Sequence, residues 1–148
     1  MSTQLNHDEE YCPVARSVSV VGDRWALLIV RDAFDGVCRF GDFQRNLSVS
    51  KNILSDRLRK LVDAGILQTQ AASDGTSYQE YVLTEAGLSL FPMIVALRQW
   101  GEAHLFKRGE RHSVLIDAET GKRVTYMAPL STDGSPLHPA RTLVRKVK

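Results

Sequence analysis

The spacing of apolar residues predicts two helices near the start of the chain. Val14 and Val18 lie four residues apart, and Pro13 before them suits the first turn of a helix. The pattern breaks at residues 22–23, and Asp23 can cap a second helix that runs to residue 34. An Asp-Gly pair then ends this helix, because glycine is favoured just after a helix C-terminus.

A short helix, a turn and a longer amphipathic helix come next. Residues 39–47 predict one to two helical turns, and residues 48–50 predict a tight turn that ends in a good N-cap, Ser50. From residue 51 to residue 64, leucines at helical spacing form one apolar stripe. The opposite face carries Lys51, Asn52, Ser55, Arg59 and Lys60. The sequence therefore predicts a helix whose outer face is basic and rich in hydrogen-bonding groups.

The periodicity then changes from helical to alternating. Residues 66–71 and 77–83 predict two strands around an Asp-Gly turn, which is a β-hairpin signal. Thr84 can cap a long helical stretch to about residue 107, in which Pro92 should kink the helix or restart it. The apolar stripe of this stretch is too wide for a helix that packs one side on a small core.

The last forty residues differ in composition from the rest. Residues 113–116 and 123–126 resemble a second hairpin, residues 131–136 a loop, and residues 141–148 a basic tail. We expect three parts: a flexible acidic N-terminus over 1–10, a helical domain over 11–107, and an extension over 108–148.

Charge is unevenly distributed along the 148 residues, although the net charge is only +2. Residues 1–38 sum to −3, residues 39–60 to +4, residues 61–106 to −4 and residues 107–148 to +5. The +4 block coincides with the short helix, the turn and the basic helix. It is either a footprint for a polyanion or a solvated helix face, and charge alone favours the solvated face.

Several classes of protein are excluded by what the sequence lacks. No apolar run approaches the roughly 20 residues of a membrane span, and the polar, acidic start does not fit a secretory signal. Cys12 and Cys38 stand 26 residues apart and the four histidines are scattered, so we expect no metal, no disulfide framework and a cytoplasmic location. No Gly-rich phosphate loop, GxSxG or HExxH motif is present, so we expect neither an enzyme nor a cofactor.

A short helix, a tight turn and a basic second helix form the helix-turn-helix arrangement. The second helix can enter a DNA major groove, which is about 12 Å wide, and the hairpin after it would be a wing. The residues expected to meet DNA lie at the start of that helix, along its basic face, before the short helix and at the wing tip. They are Arg39, Ser50, Lys51, Asn52, Ser55, Arg57, Arg59, Lys60, Thr76 and Ser77.

Several motifs, in order, resemble the HxlR family of bacterial, MarR-related winged helix-turn-helix transcription regulators over roughly residues 11–107. They are Cys12-Pro13-Val14-Ala15-Arg16, Gly22-Asp23-Arg24-Trp25 with the apolar run to Asp32, Arg39-Phe40, Leu54-Ser55-Asp56-Arg57-Leu58-Arg59-Lys60-Leu61, Gly65-Ile66-Leu67, Tyr81-Val82-Leu83-Thr84 and Trp100-Gly101. The resemblance implies a mainly α fold with a small β component, a winged helix-turn-helix domain followed here by the C-terminal β-hairpin extension.

The resemblance also implies a function: a homodimer that binds an inverted repeat in double-stranded promoter DNA. Dimerisation in such proteins uses the first helix and the long C-terminal helix, which would cover the over-wide apolar stripe. The interface residues expected on these helices are Val14, Val18, Phe91, Ile94, Val95, Arg98 and Trp100. Two alternatives stay open: a monomer with a fully internal helix, and a winged-helix protein-interaction module without specific DNA binding. A protein-docking helix would more often be apolar or mixed where this one is basic.

Cys12 stands where several members of the family carry a thiol that senses oxidants or electrophiles. A helix N-terminus favours the thiolate, whereas the acidic residues 8–10 just before Cys12 oppose it. A sensing thiol would respond to an oxidant or a small-molecule effector, and a semi-buried thiol without a signalling role is the alternative. The wing tip departs from the family pattern, because it lacks the arginine that such wings often carry.

Overall fold

The computed structural model describes residues 10–147, which form two compact units, residues 10–91 and residues 92–147. The acidic residues 1–9, predicted to be flexible, and the terminal Lys148 lie outside the described residues. Within residues 10–147, none of the helices has both the length and the apolar character that crossing a lipid bilayer requires.

The two helices predicted over residues 13–34 begin and end where the sequence predicts. Helix α1 spans Pro13–Val21 and helix α2 spans Arg24–Phe34. Asp23 caps α2, because its carboxylate accepts hydrogen bonds from the backbone N–H groups of Trp25 at 2.9 Å and Ala26 at 3.4 Å. These two contacts satisfy N–H groups that have no partner inside the helix.

The helix-turn-helix prediction is confirmed. Helix α3 spans Phe40–Leu47 and helix α4 spans Lys51–Asp63. Ser48 in the turn between them has φ 50° and ψ 43°, a left-handed conformation that favours glycine. The Ser50 hydroxyl accepts from the backbone N–H of Ile53 at 3.2 Å and so caps α4 as predicted.

The wing is a two-stranded antiparallel hairpin. Strand β1 spans Leu67–Ala71, strand β2 spans Gln79–Leu83, and Leu67 pairs with Leu83 at the base. Helix α5, Glu85–Leu88, follows with Thr84 as its N-cap. A Cβ on Gly87 would stand 2.2 Å from the carbonyl oxygen of Ile66, so only glycine allows this close approach of α5 to the backbone just before β1.

The core of the first unit lies between the helices and the base of the wing. Its members are apolar side chains that are less than a tenth exposed, drawn from α1 to α4, the turn of the helix-turn-helix, β1 and the residues on either side of β1. They are Val21, Ala26, Ile29, Val30, Phe43, Leu47, Val49, Leu54, Leu58, Leu61, Ile66, Leu67 and Ala72. The apolar side of α4 faces this core, which leaves its basic side exposed.

Helix α6 spans Phe91–His104, with Pro92 as its second residue. Of the two outcomes predicted for Pro92, a kink or a restart of the helix, the structure shows the restart. A proline is tolerated there because the N–H groups of a first turn have no partner inside the helix.

The second predicted hairpin forms only in part. Residues 113–126 make a single antiparallel bridge between Ile116 and Arg123 instead of two strands. Side chains of α6 bind backbone carbonyls of this segment: Arg98 donates to the carbonyl of Ser113 at 3.3 Å, and Gln99 donates to that of Thr125 at 3.1 Å. The predicted hairpin is therefore present at the bridge between Ile116 and Arg123, without two full strands.

Candidate nucleic-acid interface

The start of α4 presents a polar, solvent-exposed face. Ser50, Lys51, Asn52 and Ser55 are all exposed. Residues four apart on a helix lie above one another, so Lys51 and Ser55 share a row. A helix N-terminus also carries partial positive charge, which favours contact with phosphate. The predicted DNA-reading residues of the first turns are thus together on one accessible surface.

Most of the basic residues around this face are already paired with carboxylates. Among residues 10–147, Lys51 is the one basic side chain of the 39–60 block that forms no ion pair. The other five are Arg39, Arg45, Arg57, Arg59 and Lys60. The +4 charge of this block is therefore partly compensated by carboxylates inside and outside it.

Asp56 is the centre of one of these ion-pair clusters. Its Oδ2 accepts from Nη1 of Arg57 at 2.7 Å and lies 3.2 Å from Nζ of Lys60, while its Oδ1 accepts from Nη2 of Arg59 at 2.8 Å. The hydrogen bond from Lys60, followed by those from the two arginines, lowers the pKa of Asp56 despite some desolvation. Asp56 is therefore held as a carboxylate on the same helix as the basic residues.

Arg57 joins α4 to the beginning of α2. Its Nε donates to Oδ2 of Asp23 at 2.6 Å, and its side chain is only 29% exposed. Partial burial raises the pKa of Asp23, but the hydrogen bonds from Trp25 and Arg57 outweigh that effect and lower it. The Arg57 side chain, which the sequence predicts to contact DNA, thus joins two helices within the chain.

Arg39 reaches the wing. Its Nη2 donates to Oδ2 of Asp74 at 2.5 Å and lies 3.8 Å from Oε1 of Glu80, and its guanidinium carbon is 5.7 Å from the ring centre of Tyr78. The hydrogen bond from Arg39, with others from Thr76, lowers the pKa of Asp74 to about 2. The wing tip lacks its own arginine, but Arg39 brings one to it from the loop before α3.

Glu80, a buried residue of β2, is the second carboxylate near Arg39. It is 5% exposed, and its Oε1 accepts from the backbone N–H of Ser73 at 3.0 Å and from the Ser73 hydroxyl at 3.1 Å. The Ser73 backbone hydrogen bond is the main cause that lowers the pKa of Glu80.

The Cys38 thiol lies near this carboxylate. Burial, together with the charge of Glu80, raises the pKa of Cys38. Thr76 and Ser77, the two residues expected to meet DNA at the wing tip, are both exposed.

Sequence reasoning missed the carboxylates of this surface. The ion pairs of Asp56 could have been predicted, because Arg59 and Lys60 follow it at i+3 and i+4, the spacings at which side chains on a helix meet. Asp74 and Glu80 gave no such signal, because they lie 35 and 41 positions after Arg39 and only the fold brings them together.

The residues predicted at the dimer interface are mostly exposed in the single chain. On α1, Val14 and Val18 are 70% and 58% exposed, and on α6 Trp100 is 57% exposed. Phe91, 41% exposed, lies against Phe34 with ring centres 5.2 Å apart. The exposed valines are four residues apart, so α1 presents an apolar stripe to solvent.

The remaining three residues predicted at the dimer interface are less accessible. Ile94 and Arg98 are half-buried, and the Arg98 guanidinium donates to the Ser113 hydroxyl at 2.8 Å. Val95 is only 2% exposed and lines a cavity of about 40 Å³ with Leu115 and Val124, so it belongs to the packing of the second unit itself.

Cys12 is the N-cap residue of α1. Its Sγ accepts a weak hydrogen bond from the backbone N–H of Ala15 at 3.5 Å, and both Cys12 and Cys38 are half-buried free thiols. Within residues 10–147, no three side chains of histidine, cysteine, aspartate or glutamate gather into a group that could hold a metal ion.

Comparison with protein families gives the decisive observation, since the model of the HxlR-like helix-turn-helix family matches residues 20–108. The chain belongs to this family. An uncharacterized HTH-type transcriptional regulator of Mycobacterium tuberculosis is 47% identical over 103 residues, which are 70% of this chain. The chain spans only 65% of that relative's length. The resemblance stated from the sequence motifs is confirmed.

Solved structures share the fold. The structure of PA1607, a proposed transcription factor, has a TM-score of 0.89 and 46% identity, and the match covers 95% of this chain and 99% of that one. The redox regulator HypR in its reduced form has a TM-score of 0.58 and 31% identity over 63% of this chain and 93% of HypR. The predicted winged helix-turn-helix fold is therefore confirmed.

Proposed function

We propose that this protein is a homodimeric regulator that binds an inverted-repeat operator in promoter DNA and reads it with α4. The observation that carries the proposal is the exposed row at the start of α4, where Lys51, an unpaired cation among the described residues, stands beside Asn52 and Ser55. Lysine pairs well with guanine O6 and N7, and asparagine with adenine N6 and N7. The membership in the HxlR-like family supports the same function.

The wing adds contacts to the DNA backbone. Arg39 is 32% exposed on its side chain and pairs with Asp74 at the wing tip, where Thr76 and Ser77 are exposed. Arginine and hydroxyl side chains commonly contact phosphate, which fixes register without reading sequence. Arg39 therefore supplies the positive charge that the wing tip lacks.

Dimerisation follows from the uncovered apolar surface. Val14 and Val18 on α1 are more than half exposed and four residues apart, and Trp100 on α6 is more than half exposed as well; exposed apolar surface of this kind often marks a protein–protein contact. A twofold dimer places two copies of α4 about one helical turn of DNA apart, roughly 34 Å. An inverted-repeat operator is the DNA sequence that matches this symmetry.

A redox response through Cys12 completes the proposal. Cys12 caps α1, the helix assigned to the dimer interface, so oxidation there would alter the contact between protomers. The similarity to the redox regulator HypR supports this part of the proposal. Treatment of the purified protein with diamide, followed by a non-reducing gel, should give a disulfide-linked dimer that Cys12→Ser abolishes. A dimer band that persists in Cys12→Ser and disappears in Cys38→Ser would assign the response to Cys38 instead.

Binding to the protein's own promoter region tests the function as a whole. A labelled fragment upstream of the gene should show a footprint with two half-sites related by a twofold axis, and a shuffled fragment of equal length should show none. Equal affinity for both fragments would overturn specific recognition. No binding to either would favour the protein-interaction module that the sequence left open, for which the internal pairing of five basic residues is the supporting observation.

A further inference from the structure

Asp56 lies on the helix proposed to read DNA, yet it carries the charge that DNA repels. We propose that Asp56 is itself a base-reading residue, whose carboxylate accepts a hydrogen bond from a base amino group in the major groove, with cytosine N4 as the best match. This inference rests on the proposed function, because it requires α4 to lie in the groove.

The position of Asp56 on α4 supports this role. It comes four residues after Asn52 and so shares its row on the exposed face. Five residues after Lys51, it stands about 7.5 Å further along the helix axis, which keeps it within reach of the groove floor. Its side chain is 31% exposed and flanked by the exposed residues Ser55 and Arg59.

The neighbouring cations fix the geometry of the carboxylate. Arg57 and Lys60 lie at Oδ2, at 2.7 Å and 3.2 Å, whereas Oδ1 has Arg59 at 2.8 Å. A carboxylate oxygen has about two acceptor sites, so Oδ1 can accept a second hydrogen bond without losing Arg59. The carboxylate is therefore both oriented and open on one oxygen.

The chemistry of the groove makes such an acceptor selective. Base edges in the major groove offer only two kinds of donor, cytosine N4 and adenine N6, and the other polar groups are acceptors that repel a carboxylate. Asp and Glu pair with cytosine N4, whereas adenine places its N7 acceptor beside N6. A half-site with cytosine opposite Asp56 thus gains a hydrogen bond, and the other bases leave the carboxylate without one.

Asp56 also lowers the affinity for arbitrary DNA. It neutralises part of the charge of Arg59 and Lys60, and its own charge stands near phosphates. Only a base amino group offsets this repulsion, so the penalty is larger on non-operator sequences. Specificity of this kind combines an attractive contact with a repulsive one.

Selection of bound duplexes from a random pool tests the inference, with full-length wild type, Asp56→Asn and Asp56→Ala compared. Wild type should select a cytosine at one position of each half-site. Both variants should lose that preference by about tenfold or more while the rest of the motif remains. They should also bind the random pool more tightly, with a steeper dependence on salt, because Arg59 and Lys60 are released.

Asp63→Asn is the matched control, because it removes the same charge from the same helix about 10 Å further toward its C-terminus. It should select the wild-type motif. If Asp56→Asn and Asp56→Ala strengthen binding to all sequences equally and keep the cytosine, Asp56 acts through charge alone and the inference fails. Variants that leave both affinity and motif unchanged overturn it as well. A wild-type protein that selects no motif overturns the proposed function first, and the inference with it.

Discussion

Nε of Arg57 on α4 donates to Oδ2 of Asp23 at 2.6 Å, which joins the helix proposed to read DNA to the N-cap of α2. Asp23 accepts at the same time from the backbone N–H of Trp25, so one carboxylate serves both the cap and the ion pair. The orientation of α4 therefore depends on a residue 34 positions away. Arg57 contributes to the fold whether or not it also meets DNA.

The Asp23–Arg57 pair should contribute measurably to stability. Asp23→Ala removes the cap as well as the pair and should cost about 1–2 kcal/mol, whereas Arg57→Ala should cost about 1 kcal/mol or less, because both side chains retain some contact with water. Urea denaturation of the two variants and the double variant measures the coupling between them. Additive effects of the two substitutions would show that the pair contributes nothing.

Stability should depend on pH through Asp23. The pKa of Asp23 is lowered in the folded protein, so its contribution is complete above the unfolded pKa of about 3.9 and is lost as the pH falls through the folded value below that. Asp23→Asn keeps a capping group but has no charge. The variant should be less stable than wild type at pH 7, and the difference should shrink at about pH 3. A difference that is independent of pH would contradict the assigned ion pair.

Lys51 should read a base. Lys51→Ala should weaken operator binding by about 1–3 kcal/mol and binding to a shuffled duplex much less. Lys122→Ala, which removes an exposed lysine from the extension, serves as the control and should leave the ratio of the two affinities unchanged. Equal loss on both duplexes would reassign Lys51 to the phosphates.

Arg39 should contact the backbone and read no base. Arg39→Ala should weaken binding to operator and shuffled duplex by the same factor and reduce the slope of log affinity against log salt by about 0.9. Asp74→Asn removes the nearer of the two carboxylates that pair with the guanidinium and should leave that slope as steep as in wild type or steeper. An unchanged slope in Arg39→Ala, with the fold intact by circular dichroism, would exclude the wing contact.

The exposed valines of α1 should hold the dimer together. Val14→Asp combined with Val18→Asp should yield a folded monomer by analytical ultracentrifugation and abolish cooperative operator binding, because two buried carboxylates cannot both be solvated in an apolar interface. Val144→Asp, at a valine that is 77% exposed in the tail, is the control and should remain dimeric. Unchanged sedimentation of the double variant would move the interface elsewhere.

The sequence predicted the first unit well because its signals are local. Caps at Asp23, Ser50 and Thr84 lie within three residues of the groups they bind, so the first residues of α2, α4 and α5 could be predicted directly. The extension was predicted less well. Its carbonyls at Ser113 and Thr125 bind Arg98 and Gln99 of α6, and these contacts span 15 and 26 positions, which no local pattern indicates.

The same difference between local signals and long-range contacts applies to the candidate site. The basic face of α4 follows from helical spacing, so its exposed residues were predicted correctly as a surface. The pairing of Arg39 with Asp74, and of Arg57 with Asp23, depends on contacts across 35 and 34 positions. Charge counted along the sequence therefore overstated the positive potential of the folded surface.

Equilibrium binding to the promoter fragment and to a shuffled duplex, each titrated with salt, tests the central claim most directly. We predict tighter binding to the promoter fragment, a log–log slope of about −0.9 for each phosphate neutralised, and loss of the preference in Lys51→Ala. Equal affinities for the two duplexes at every salt concentration, unaffected by Lys51→Ala, would contradict the claim that α4 reads DNA.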